Sequence, residues 1–249
     1  MKVFKLSTKI FFFPIYYLIH NNFIFGLFHK LIINKFSNKK IKINLNIKNI
    51  PIQNYSSFLF RTYEYNDRKI VEKHIDQNNK CIIVGGGLGF ITTLAFQKSK
   101  KGILVFEINK NIVENLETNL EQNGVKYNLY QKNLILDKLH DQKKFYYADK
   151  YFLNNSMYIK SNKEVIVENI FKDQISNFDE FNTIIIDGEG IEEYFIKNIS
   201  LLQNIKYIIF ELHHNIFSNK EILEFFNILK KNSFIQINKC FNSYYFKKF

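Results

Sequence analysis

Short uncharged runs rich in β-branched residues recur along the chain, and between them lie stretches whose apolar residues repeat at helical spacing. The runs at 81–85, 103–107, 182–187 and 207–213 read as strands buried on both faces of a parallel sheet, with a further strand at 126–131. Helices are predicted at 89–98, at 110–123 and from Ile191 onward. In the second of these Ile112, Val113, Leu116 and Leu120 share one face, Asn109 stands where an N-cap belongs, and Gly124 follows as a stop. Upstream, residues 41–60 alternate apolar and polar and predict a strand or hairpin, and Tyr63 to His74 predicts the helix that leads into the first core strand. A polar insertion spans 132–170, with two short strands expected near 145–148 and 164–168. The runs at 234–238 and 243–246, across a short turn, predict a closing antiparallel hairpin. Strand and helix alternate, so the expected fold is α/β and Rossmann-like, a mostly parallel, doubly wound sheet with helices on both faces.

The first core strand breaks into Val84-Gly-Gly-Gly-Leu-Gly-Phe90, where a helix pattern starts. Glycine suits such a turn because it accepts positive φ and lets a ligand approach the backbone, while the helix aims its free N–H groups over the loop. The next strand ends at Glu107, about twenty residues on, the distance at which a carboxylate can hold both hydroxyls of a ribose. A dinucleotide fingerprint requires a third glycine at position 90, which is Phe90. Gly85-x-Gly87-x-Gly89 instead resembles the spacing of S-adenosylmethionine (SAM) methyltransferases.

In a sheet of this kind ligands bind outside the carboxyl ends of the strands. Asp187, Glu189, Glu211 and His213 all fall at such ends, beside Glu107. Carboxylates converging there can bind ribose, accept a substrate proton or hold a divalent cation. His213, two residues from Glu211, points to the same sheet face and suits a base near neutral pH, whereas one of His213 and His214 is expected at the surface. Read structurally, Asp187 would cap the following helix, and Glu192 and Glu193 would favour that helix's dipole.

Composition narrows the classes. The chain has 249 residues, enough for one α/β domain (61–249) and an N-terminal extension (1–60). Its net charge of +12 comes from lysines scattered along the whole sequence, with only Arg61 and Arg68 as arginines, so no nucleic-acid surface is expected. Cys81 and Cys240 sit in apolar runs without metal spacing, which predicts buried free thiols in a reducing compartment and no metal ligands. The apolar segments 10–19 and 23–33 are flanked by lysines and interrupted by Pro14, His20 and Asn21. They suit packing on the main domain or peripheral membrane contact rather than a span, and the expected location is cytoplasmic, peripheral to membrane if those segments touch one.

Taken together, Tyr63-Glu64, Val84-Gly-Gly-Gly-Leu-Gly-Phe90, Val105-Phe-Glu-Ile-Asn109, Asn119 with Asn123-Gly-Val125, Ile186-Asp-Gly-Glu-Gly-Ile-Glu192 and Ile209-Phe-Glu-Leu-His213 resemble the FkbM family of SAM-dependent methyltransferases. The likeness covers roughly residues 60–240. It implies a class I methyltransferase fold with a seven-stranded sheet, SAM as cofactor, and methyl transfer to a hydroxyl of a small molecule or glycan. It also implies that Gly85, Gly86, Gly87, Gly89, Glu107, Ile108, Asn109 and Glu64 bind cofactor and that Asp187, Glu189, Glu211 and His213 face the acceptor. Two positions depart from the family: Ile83 stands where an acid is usual near the methionine end of SAM, and Lys110 replaces a proline. An RNA or protein methyltransferase, favoured by charge, and a methyltransferase-like binding protein without catalysis are the competing readings.

Overall fold

A computed structural model describes residues 24, 27, 30–31, 35–38, 40–45, 52–137, 144–147, 163–188, 190–214 and 216–249. The apolar segment 10–19, most of 23–33, Glu189 and the middle of the 132–170 insertion therefore lie outside the described residues.

In chain order the elements are β1 (Lys35–Asn38), β2 (Ile41–Asn44), α1 (Ile52–Leu59), α2 (Tyr65–His74), β3 (Cys81–Val84), α3 (Phe90–Ser99), β4 (Ile103–Phe106), α4 (Lys110–Gln122), β5 (Tyr127–Tyr130) and β6 (Asn133–Ile135). There follow β7 (Lys144–Tyr147), β8 (Lys163–Ile166), β9 (Asn169–Phe171), β10 (Thr183–Ile186), α5 (Glu192–Lys197), β11 (Tyr207–Glu211), α6 (Asn219–Lys231), β12 (Phe234–Cys240) and β13 (Ser243–Lys248). Seven strands form the main sheet in the order β12-β13-β11-β10-β3-β4-β5. The five inner and right-hand strands run parallel, and β13 lies antiparallel to both β11 and β12. This is the expected Rossmann-like arrangement, a mostly parallel seven-stranded sheet with a C-terminal antiparallel hairpin.

Alternation along each strand divides the core in two, because successive side chains point to opposite faces. Ile82, Val84, Leu104, Phe106, Ile184 and Ile186 point to one face, under α5 and α6. Cys81, Ile83, Ile103, Val105, Ile185 and Ile209 point to the other, under α2, α3 and α4. Both layers are needed: the central strands are buried at every position, so their sequences carry no polar face.

Several expectations change in detail. Residues 41–60 were expected to be strand or hairpin throughout; β1 and β2 do pair, but 52–59 is a helix. Its side chains Tyr55 and Phe58 pack with Ile41, Ile43, Leu45 and Ile70, so tertiary burial decides the element. The hairpin is also stitched to α4: Asn119 accepts from the Asn44 amide at 2.8 Å, and Asn123 accepts from the Lys42 amide at 3.0 Å. The helix predicted from Tyr63 starts at Tyr65, because Glu64 holds a left-handed backbone (φ 47°) as its cap residue. Cys81 is buried, and burial pushes its thiol up to about 12, but Cys240 is half-buried rather than enclosed, since it ends the edge strand. The insertion forms β7 and β8 as an antiparallel pair, and a further parallel pair, β6 with β9, was not anticipated. Among the described residues no helix is long and apolar enough to cross a membrane.

Candidate active site

The strand order reverses between β3 and β10: β3 leads outward to β4, while β10 leads the other way to β11. Such a switch point opens a crevice at the strand ends. Here it is lined on one flank by the loop after β3 and on the other by the loop after β10. The two loops touch, since a Cβ on Gly85 (φ +90°) would lie 1.8 Å from the carbonyl oxygen of Asp187. No other residue fits there.

Asn109 caps α4 as predicted, its side chain accepting from the Asn111 amide. Glu107, just before it, is 6% exposed and closes the glycine loop: one carboxylate oxygen accepts from the Gly87 amide at 3.0 Å, the other from the Asn109 amide at 2.7 Å. Burial raises its pKa, and the backbone donors at Asn109 and Gly87 oppose the rise. Asn119, buried on α4, donates to the Leu88 carbonyl at 3.0 Å, so the loop is held from both sides. Ile83 points away into the core layer under α3, which leaves that side of the loop apolar.

A single cavity of about 690 Å³ runs along the strand ends. Gly85, Gly87, Glu107 and Ile108 line one part of it, and Asp187, Glu211 and His213 another. Gly86 and Gly89 do not line it: they turn toward Leu116, where a Cβ would crowd the leucine side chain, so their part is to let the loop pack on α4. Asn109 likewise stands behind the wall, holding Glu107 and capping α4. Glu64 lies across from Gly87, 3.5 Å from where a Cβ there would be. Beyond Glu107 the wall is apolar, made by Phe106, Ile112 and Leu134.

The other part is acidic. His213 Nε2 lies 3.7 Å from Asp187 Oδ1, and His213 Nδ1 lies 3.8 Å from Glu192 Oε1. Asp187 does not cap the following helix; the cap position is Ile191. Glu192 stands in the first turn of that helix as expected, but it does more than favour the dipole. It is fully buried and its two oxygens accept from the Gly188 and Gly190 amides at 3.0 and 2.7 Å, fixing the loop after β10. Burial raises its pKa against the charge of His213 and these amides. His214, as expected, is exposed.

Two residues on α2 and before it were not singled out for chemistry. Asp67 reaches the strand ends from the side, and its carboxylate, with those of Asp187 and Glu211, offers oxygens within 4.8 Å of one another. Burial, then the charge of Asp187, lifts Asp67 to about 7. Tyr63 donates to Glu64, whose pKa rises to about 8 through burial and the charges of Asp187 and Asp67, against that hydrogen bond. The Tyr63 hydroxyl is itself pushed well up by burial and by Glu64.

No family model matches the sequence, and no curated protein matches it closely. Solved structures of similar fold include TYW2 of P. horikoshii in complex with MeSAdo, at 10% identity over 92% of this chain and 82% of that one, TM-score 0.48. A second is ribosomal protein L11 methylase of Lactobacillus delbrueckii subsp. bulgaricus, at 15% identity over 74% of this chain and 77% of that one, TM-score 0.43. A third, an uncharacterized protein of Listeria monocytogenes, has 12% identity and a TM-score of 0.42; the alignment covers 72% of this chain and 64% of that one. At these identities and TM-scores the likeness says nothing of substrate.

Proposed function

We propose that the protein is a SAM-dependent methyltransferase that methylates a hydroxyl group of a small molecule or glycan. The observation that carries this reading is the continuous cavity, which has a nucleotide-sized cradle at the glycine loop and a cluster of proton acceptors beside it. SAM would set its ribose on Glu107, its adenine against Phe106, Ile112 and Leu134, and its sulfonium toward Asp187 and His213. Glu64 stands over Gly87, where it can hold the ammonium of the methionine part. That supplies the carboxylate which Ile83 does not. In the reaction the acceptor oxygen attacks the methyl carbon, the carbon–sulfur bond breaks, and S-adenosylhomocysteine leaves as a neutral thioether. His213 or a neighbouring carboxylate takes the hydroxyl proton. Because the donor is already activated, alignment of oxygen, methyl and sulfur supplies most of the acceleration.

The lining of the cavity supports this acceptor class. The cavity wall carries Glu64, Asp67, Glu107, Asp187 and Glu211 against Lys132 and His213, and Lys132 is paired with Glu168 at 3.1 Å. Such a wall offers few cations to a phosphate and many hydrogen-bonding groups to a neutral polyol, which supports the FkbM type over RNA. A cytoplasmic setting, with peripheral membrane contact through residues 10–33, belongs to the same reading. Calorimetric titration with SAM and S-adenosylhomocysteine, with Glu107→Ala as control, tests the core of it. Saturable binding that the variant loses is the expected result; a folded wild-type protein that binds neither ligand refutes it.

A further inference from the structure

We infer that Asp67, Asp187 and Glu211 form a divalent-cation site at the acceptor end of the cavity. The three carboxylates come from separate elements, α2 and the ends of β10 and β11, yet each presents an oxygen within 4.8 Å of the other two. Asp67 is 3% exposed, lines the cavity, and its Oδ1 has no hydrogen-bond partner. A buried carboxylate oxygen left this way is costly unless a ligand completes it. The carboxylate also hydrogen-bonds Ser243 and Glu211, where α2 packs beside β11 and β13.

The donor set selects the ligand. All three groups are hard, anionic oxygens, which suit Mg²⁺, Mn²⁺ or Ca²⁺ and not a soft metal. Oxygens bound at about 2.3–2.6 Å to a common ion can stand up to about 5 Å apart, so the observed spread fits a Ca²⁺- or Mn²⁺-sized ion without backbone movement. His213, 3.7 Å from Asp187 Oδ1, would orient that carboxylate from behind. The rest of the coordination sphere faces the cavity, open to water or to hydroxyls of a bound ligand. The site stands without the methyl-transfer reading; only its use in seating an acceptor hydroxyl rests on that.

Titration of the full chain with Mn²⁺ at pH 8, followed by electron paramagnetic resonance and without SAM, tests the site. One equivalent should bind, with displacement by Ca²⁺ or Mg²⁺. Asp67→Asn should weaken binding by about tenfold or more, since even outer-shell losses reach that size. Glu211→Gln should do the same, and circular dichroism reports that each variant is folded. Folded wild-type protein that binds no Mn²⁺ at millimolar concentration, or two folded variants that bind as wild type does, overturns the inference. SAM titration in EDTA keeps the two readings apart: a protein that binds Mn²⁺ but not SAM retains the cation site and loses the cofactor assignment.

Discussion

Glu107 and Asp67 are acids on the wall of one cavity, both nearly enclosed, and the fold treats them differently. Glu107 receives a backbone amide on each oxygen, so its charge is balanced by the main chain and its position is fixed before any ligand arrives. Asp67 keeps an oxygen without a hydrogen bond and faces the charge of Asp187. A loop that must recognise one invariant molecule can be built complete. An end that must admit a varied acceptor, or a cation, is left to be completed by it. On the proposed reading, the contrast locates rigidity at the cofactor end and adaptability at the acceptor end.

The most severe way to break this contrast is Gly85→Ala, because the new Cβ would meet the Asp187 carbonyl and the backbone angle is one that alanine resists. Both ends should fail together: SAM binding should fall at least about 100-fold by calorimetry, with a loss of native circular dichroism if the loops cannot part. Glu107→Ala should break only the cofactor end. It orphans the Gly87 and Asn109 amides, and urea unfolding should show a loss of about 2 kcal/mol, with the fold retained.

Asp67→Asn should act in the opposite direction. A carboxyl whose folded pKa is raised is protonated in the folded chain and ionised in the unfolded one between the two values. Stability is therefore greatest in acid and is lost as pH rises from about 4 toward the folded pKa of about 7. Asparagine removes that loss. Ligand-free protein carrying it should be about 1–3 kcal/mol more stable than wild type at pH 8 and equal to it near pH 4, measured by urea unfolding across that range. A stability difference between variant and wild type that does not grow with pH over this window would show that Asp67 is not in this environment. The smallest effect is expected from Ser218→Ala, which removes the capping box at the start of α6, outside the lining of the cavity. It should cost about 1 kcal/mol in unfolding and leave SAM and Mn²⁺ binding unchanged.

The cofactor end was legible in the sequence because its parts are local: strand, glycines, helix and the acid that ends the next strand all follow in order. Asp187, Glu211 and His213 were legible for a related reason, since each terminates a strand whose apolar run announces it. Asp67 was not. It sits within an ordinary amphipathic helix, and its partners are far along the chain, so only the packing of α2 beside β11 and β13 reveals it. Glu192 was legible as a first-turn acid, but its burial under the loop after β10 depends on two glycine amides that no spacing rule identifies. The helix at 52–59 was missed because the alternation of Ile41, Ile43, Leu45 and Ile47 was carried past its end, although Ile52, Tyr55, Phe58 and Leu59 stand at helical spacing.

The sheet's central pairing joins β3 to β10, and the residues that open it, Lys80 and Asn182, are 102 residues apart. Closing so long a loop reduces chain entropy before any contact can offset it, which makes this step slow. The glycine loop and Glu107 lie in the segment before that closure, and Asp187, Glu211 and His213 in the segment after it. A chain folded only through β5 thus holds a finished cradle beside the bare apolar edge of β3, a template for any unpaired strand nearby. Arrival of β10 both caps that edge and completes the site, so protection from aggregation and competence for chemistry are gained in one event.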